Sequence, residues 1–228
     1  MMMGVIITVN GLMMGIIYLW YSAGILEVEP TETLAMKVTK AQAQANRARI
    51  VETASTLFRQ RGYDGVGVAD LMAAAGFTHG GFYKHFGSKS DLMAEAASCG
   101  FANSAELAMR GDLAQFMSYY LSREHRDNPG NGCTMAALSA DAARQSESVK
   151  AAFAAGIEHQ VAAQGGEEKD SQDGEIDAAR ARRIALMAQA VGAVVLSRSC
   201  PDDSPLADEI LDVCRAQILA QLPAERPA

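Results

Sequence analysis

Proline and aromatic residues are scarce in this chain. Only six prolines occur in 228 residues, and aromatic side chains make up 6% of the sequence. Sheets depend on β-branched and aromatic residues, whereas alanine, which is abundant here, loses no side-chain entropy on entering a helix. The composition therefore favours an all-α fold. The length allows one or two domains, and we expect two helical ones.

Metal-ligand spacing and common catalytic motifs are also missing. Cys99, Cys133, Cys200 and Cys214 lie far apart, with no C-x-x-C pair, so we expect reduced thiols, a cytoplasmic location and no metal or cofactor. The sequence has no G-x-S-x-G elbow, phosphate-binding loop, H-E-x-x-H or dinucleotide motif. These absences favour a binding protein, and an all-helical enzyme whose side chains converge only in space is the alternative.

Charged side chains are absent from residues 1–26, a length that is sufficient to span a bilayer. No Lys or Arg precedes Lys37, so the basic flank of a signal peptide or membrane anchor is missing. We expect residues 1–36 to be an apolar extension from an over-extended reading frame, with Met36 as the biological start. A membrane tether and a packed N-terminal arm are the alternatives.

The net charge of −7 is distributed unevenly. Residues 37–91 carry eight Lys and Arg against four Asp and Glu, whereas the rest of the chain is acidic. A nucleic-acid interface needs only local positive potential. The basic segment is therefore a candidate for contact with phosphate, and two solvated surfaces of unlike charge are the alternative.

Short helical patterns follow one another in the basic segment. Apolar residues recur at helical spacing over residues 40–61 and again over residues 68–75. Gly76 allows a tight exit from the second helix, and Thr78 can cap a third helix, whose core-facing Phe82 and Phe86 are four residues apart. Two short helices joined by a Gly-containing turn match the helix-turn-helix plan over residues 68–86.

Adjacent glycines stand near the start of the third helix. Each glycine costs about 1 kcal/mol in a helix interior relative to alanine. Gly80 and Gly81 therefore suggest close approach of the backbone to bases or phosphate, and a frayed turn is the alternative. Ser88 begins a capping box that opens a longer helix toward Ala108. We divide the chain into a DNA-binding domain at 40–90 and a second helical domain at 91–224.

Two segments carry a family resemblance: RIVETASTLFRQRGY at residues 49–63 and AGFTHGGFYKHFGSK at residues 75–89. Together they resemble the tetracycline-repressor (TetR) family of transcriptional regulators. The resemblance implies a homodimeric repressor that leaves a palindromic DNA operator when a small-molecule effector binds. Beyond Ala108 the resemblance is limited to helix number and order.

The resemblance also implies DNA contacts. The residues implied to face phosphate are Thr78, Tyr83, His85 and Lys89, those implied to lie nearest the bases are His79, Gly80 and Gly81, and Lys84 is expected to face outward. Tyr83 and His85 as packing residues, and Lys89 as a solvated lysine, are the alternatives. Gly67 departs from the Ser or Thr that is frequent in the family, so one phosphate contact is expected to be missing.

The acidic domain resembles the family's effector-binding and dimerising domain. The pocket candidates are Phe101, Met109, Phe116, Met117, Tyr120, Cys133, Met135, Phe153, His159 and Met187, for which plain core packing is the alternative. The predicted dimer interface comprises Met187, Val191, Val195, Ile210, Leu211, Cys214 and Ile218, with Ile184, Ala188, Val194, Val213 and Leu222 beside them. Burial within one subunit is the alternative.

Overall fold

The computed structural model describes residues 39–108, 112–163 and 178–222, and within these ranges it contains helices and turns but no strand. The α-helices, in chain order, are α1 (Lys40–Arg61), α2 (Val68–Ala75), α3 (Lys89–Ala108), α4 (Leu113–Tyr120), α5 (Arg123–Asp127), α6 (Thr134–Ala142), α7 (Glu147–Ala163), α8 (Ala178–Arg198) and α9 (Pro205–Gln221). Two 3-10 turns, His79–Lys84 and Pro129–Asn131, follow α2 and α5. The all-α prediction is confirmed.

Side-chain caps fix several helix starts. Thr39, Ser88 and Asp112 each accept a hydrogen bond of 3.1 Å from the backbone N–H three residues later, at the starts of α1, α3 and α4. The cap predicted at Ser88 is thereby confirmed. Gly76, with φ of 83°, ends α2 in the left-handed conformation that the sequence predicted.

The third short helix differs from its prediction. Residues His79–Lys84 form a 3-10 turn, and Thr78 stands before it without a side-chain capping bond. Adjacent glycines weaken α-helix formation because they lose more backbone entropy than other residues. The two glycines therefore account for a short 3-10 turn in place of the predicted α-helix.

The helical segment that begins at Leu113 is interrupted after one short helix. Helix α4 ends at Tyr120, and α5 restarts at Arg123 after Ser122, whose hydroxyl accepts the His125 N–H at 3.3 Å. A serine that caps a new helix competes with continuation of the old one. The break turns His125 toward the interior, where it is buried.

Helix α3 packs against both α1 and α7, and α8 packs against α9. Close approach of α3 and α7 requires Gly156, since a β-carbon there would lie 2.3 Å from the Phe101 ring. Phe101 in turn meets Phe153 edge to face, with 5.3 Å between ring centroids. Because α3 belongs to both sides of the predicted boundary near residue 90, the two-domain division stays a prediction.

Several predictions fall outside the described residues: the apolar extension at 1–36, its membrane alternative and the pocket candidate Met109. Among the helices that are described, none is long and apolar enough to cross a bilayer.

Candidate nucleic-acid interface and effector cavity

The 3-10 turn presents its polar side to solvent. Residues 78–80 and 83–84 are exposed, and Tyr83 keeps 70% of its surface accessible. Beneath them Phe82 and Phe86 are buried, with ring centroids 5.5 Å apart. The turn thus exposes polar residues on one side and packs two buried phenylalanine rings on the other.

Neither glycine in the turn is required by the protein's own packing. A β-carbon at Gly80 would meet no atom within 4 Å, and one at Gly81 would make an ordinary 3.5 Å contact with Met72. Both glycines also lack the positive φ that excludes other residues. The fold would therefore tolerate a side chain at Gly80.

Arg47 of α1 holds the end of the turn. Its Nε donates to the His85 carbonyl at 3.3 Å, and its guanidinium lies 4.7 Å from the centroid of the Phe86 ring. Its terminal nitrogens pair with both oxygens of the Glu95 carboxylate on α3. Sequence reasoning missed this clamp because Arg47 and Glu95 are 48 residues apart and belong to no local motif.

Two predicted phosphate ligands are more enclosed than the rest. Lys89 is half-buried, and its ammonium donates to the Tyr63 carbonyl at 2.6 Å while lying 5.9 Å from the Phe58 ring centroid. His85 is also half-buried, with its ring 6.4 Å from that of Phe77. Lys89 consequently helps to join α3 to the turn after α1.

A cavity of about 230 Å³ lies among α3, α4, α7, α8 and the segment that leads into α6. Of the predicted pocket residues, the structure brings together Phe116, Met117, Tyr120, Cys133, Met135 and Met187. The part of the chain that is described contains no group of three or more His, Cys, Asp and Glu side chains arranged to hold a metal ion.

Three predicted pocket residues do not line this cavity. Phe101 and Phe153 are buried against each other between α3 and α7, because Gly156 lets those helices approach closely. His159 lies on the exposed side of α7, whereas its neighbour Gln160 is buried and lines the cavity. The buried positions of α7, at 153, 156 and 160, follow a helical period that excludes position 159.

His125 forms part of the cavity wall and was missed from the sequence. Its Nδ1–H donates to the Tyr120 carbonyl at 2.7 Å, and its Nε2 accepts the Cys133 N–H at 3.2 Å. The two bonds together require the neutral ring. Burial lowers the pKa of His125, the bond to Tyr120 opposes this effect, and the positive charge of Arg198 adds to it.

Arg59 connects α1 by hydrogen bonds to the segment that leads into the cavity wall. Its Nε and Nη2 donate to the Gly130 carbonyl at 3.0 and 2.6 Å, and its Nη1 donates to the Ser55 hydroxyl at 2.6 Å. The guanidinium is buried, which lowers the pKa of Arg59, although arginine remains charged at physiological pH. Residues 131–133, next to Gly130, line the cavity.

The predicted dimer residues divide into three groups. Leu211 and Ile218 are buried within the single chain, where α9 packs against α8 and α4, so they are not available as surface contacts. Met187 is buried and lines the cavity. The remaining residues are half-buried or exposed: Val191, Val195, Ile210 and Cys214.

Large apolar side chains nevertheless remain exposed on both C-terminal helices. Leu196 on α8 keeps 58% of its surface accessible, and Val213 on α9 keeps 54%. Ile184, Val195 and Leu206 are exposed as well. Leu196 and Leu206 were not among the predicted interface residues.

Helix α2, the recognition turn and the helices that pack beneath them have the arrangement of a helix-turn-helix unit. Residues 50–96 match the family model described as bacterial regulatory proteins, tetR family. This match supports the TetR-family resemblance that the sequence motifs predicted, over residues 50–96.

Named relatives match part of the chain as well. The chain is 38% identical to the HTH-type transcriptional regulator AcrR of Shigella flexneri over 31% of this chain and 33% of AcrR. It is 42% identical to TtgR of Pseudomonas putida over 24% of this chain and 26% of TtgR. These matches span a third or less of each relative's length. Both relatives are named as transcriptional regulators.

The fold has close counterparts among solved structures. Reduced NemR of E. coli has a TM-score of 0.60 and 22% identity, covering 76% of this chain and 95% of NemR. A TetR-family regulator from Agrobacterium tumefaciens has a TM-score of 0.59 and 22% identity, covering 80% of this chain and all of that one. At this identity the likeness concerns the fold alone.

Replacing Arg59 with methionine should lower the free energy of unfolding by about 1–3 kcal/mol, because the buried Gly130 carbonyl loses its donors. Urea unfolding followed by circular dichroism measures the change. Arg61→Met, at an exposed position of the same helix, is the matched control. Equal stability of the two variants would contradict the role given to Arg59.

His125 should contribute a pH dependence to stability. Because its pKa is lowered in the folded state, the unfolded chain binds the proton more tightly, and stability is lost as pH falls below about 6.5. Between about pH 7.5 and pH 5.5 wild type should lose more stability than His125→Gln. The control is His159→Gln on the exposed side of α7. Parallel pH profiles for wild type and His125→Gln would rule this out.

Proposed function

We propose that the protein is a homodimeric, DNA-binding transcriptional repressor that a small effector releases from a palindromic operator. The observation that carries the proposal is the exposed polar surface of residues 78–84, supported from below by Phe82, Phe86 and the Arg47 clamp. A preorganised element of this kind suits insertion into a DNA major groove. This role places the protein in the cytoplasm.

The proposed contacts divide into phosphate and base positions. Thr78, Tyr83, His85 and Lys89 face phosphate, His79, Gly80 and Gly81 lie toward the bases, and Lys84 faces outward. Tyr83 supports the first assignment with its exposed side chain. Lys89 has three N–H donors, of which the Tyr63 carbonyl takes one, so the others remain for phosphate.

Open space at Gly80 supports close approach of the backbone to DNA. Neither packing nor φ requires glycine there, although glycine costs helix stability. A constraint from outside the subunit accounts for this choice, since any side chain would stand between the backbone and the groove floor.

Dimerisation is proposed through the exposed apolar residues of α8 and α9. Burying apolar surface gains about 25 cal/mol per Å², and a twofold arrangement pairs each patch with its own copy. Four helices, two from each subunit, would then form the interface. Such a dimer presents two reading turns to the two halves of a palindrome.

The hydrogen bonds between Arg59 and the Gly130 carbonyl would couple effector binding in the cavity to the position of α1 and of the recognition turn. A ligand changes DNA affinity only if it binds one conformational state better than the other. A shift of wall residues 131–133 would move the Gly130 carbonyl, and with it the end of α1. Arg47, three turns earlier on α1, would transmit the shift to the recognition turn and to Glu95 on α3.

The DNA interface is tested with Gly80→Leu and His79→Ala. Gly80→Leu should abolish binding to all DNA without destabilising the fold, because the leucine meets open space in the protein and the groove floor in the complex. His79→Ala should weaken the cognate site about 5- to 150-fold and random DNA little. Gel shifts with fragments that wild type selects from a random library measure both effects.

Ala154→Leu, on the exposed side of α7, is the matched control and should bind as wild type. Wild-type affinity in Gly80→Leu would refute the interface. Equal weakening of all sequences by His79→Ala would refute its assignment to the bases.

The dimer is tested with Val213→Glu, which places a charge on the exposed patch without entering the core of the subunit. Sedimentation should show a folded monomer, because pairing would bury the charge without a partner. Ala154→Glu is the control and should remain dimeric. A dimeric Val213→Glu protein would contradict the proposed interface.

A further inference from the structure

The cavity is built from aromatic and thioether side chains. Phe116, Tyr119 and Tyr120 of α4 contribute rings, and Met117, Met135 and Met187 contribute flexible sulfur-containing chains. Rings prefer edge or offset contacts with other rings, and methionine adapts to flat ligands. This wall favours an aromatic guest over an aliphatic chain or a sugar.

No Asp, Glu, Lys or Arg occurs among the described residues that line the cavity. His125 cannot act as a counter-ion, since Nδ1 donates to one backbone carbonyl and Nε2 accepts one backbone N–H. An ion in this space would lose its hydration and would meet no oppositely charged side chain among the described lining residues, which is costly. Arg198 donates hydrogen bonds to the backbone carbonyls of His125 and Arg126, next to the cavity. Its positive charge further disfavours a cation in the cavity.

Gln160 supplies a neutral polar position. Its side chain is buried and lines the cavity, and among the described residues its only hydrogen bond runs from Nε2 to the Phe101 carbonyl at 3.3 Å. A primary amide can donate two hydrogen bonds and accept two. The carbonyl oxygen and one N–H of Gln160 are therefore available to hydrogen-bond to a guest in the cavity.

The volume limits the size of the guest. An engineered apolar cavity of about 150 Å³ accommodates benzene, and drug-sized pockets usually exceed about 300 Å³. A cavity of about 230 Å³ lies between these values. It suits a substituted single ring or two fused rings.

We propose that the cavity binds an uncharged aromatic molecule of one or two rings whose single hydroxyl or carbonyl group hydrogen-bonds to Gln160. This inference deepens the proposed function, on which it rests, by naming the chemical class of the effector. Gln160 is then the residue that determines specificity for the polar group, and the aromatic wall determines shape.

Four probes of similar shape test the class by equilibrium dialysis at neutral pH: β-naphthol, β-methylnaphthalene, β-naphthoate and β-naphthylmethylammonium. β-Naphthol should bind most tightly, the anion at least tenfold more weakly, and the cation most weakly. Gln160→Leu should weaken β-naphthol about tenfold and leave β-methylnaphthalene within about twofold, since only the first loses a hydrogen bond. Gln44→Leu, at an exposed position of α1, should change neither.

Ala190→Phe provides a second variant, because Ala190 is buried and lines the cavity. It should abolish binding of all probes while circular dichroism remains helical. Tighter binding of either ion than of β-naphthol, no binding of any probe, or an unchanged β-naphthol affinity in Gln160→Leu would overturn the inference.

Gel shifts with and without β-naphthol separate this inference from the proposed function. Gln160-dependent binding of the probe with unchanged DNA affinity would support the ligand class and refute release by an effector. Loss of the expected probe order with intact DNA binding would refute the ligand class alone.

Discussion

The buried guanidinium of Arg59 is the interaction on which the rest of this structure depends. It binds two neutral groups, the Gly130 carbonyl and the Ser55 hydroxyl, and none of its hydrogen-bond partners in the described part of the chain is a carboxylate. A buried charge that is paired only with dipoles is costly unless each bond is well formed. The need to form these bonds well fixes the position of the 3-10 turn that contains Gly130 relative to α1. It also fixes the adjacent cavity wall, in which His125 makes its two hydrogen bonds.

The DNA-binding part was predictable because its signals are local. The period of apolar residues gave the bounds of α1 and α2, and Gly76 and Ser88 gave an end and a start that the structure confirms. Phe82 and Phe86 could be placed inside from a spacing of four residues. All of these signals fall within about fifty consecutive residues.

The cavity and the C-terminal surface were predicted less well because composition does not say which helix face meets which neighbour. Phe153 and Gln160 both face inward from α7, yet only Gln160 reaches the cavity. Leu211 and Val213 are equally apolar and two residues apart, and packing against α8 and α4 buries the first and exposes the second. Arg47 and Arg59 likewise find their partners only in three dimensions.

Helix α3 has a consequence for how the protein unfolds. Position 100 faces the Arg59 and Thr134 side chains, and Gly156 of α7 touches Phe101, so α3 is interlocked with α1, α6 and α7 at adjacent residues. Elements that share such contacts melt together. We therefore expect residues 39–90 to unfold together with the helices that they contact, and heating should give one calorimetric transition whose enthalpy equals the van't Hoff value.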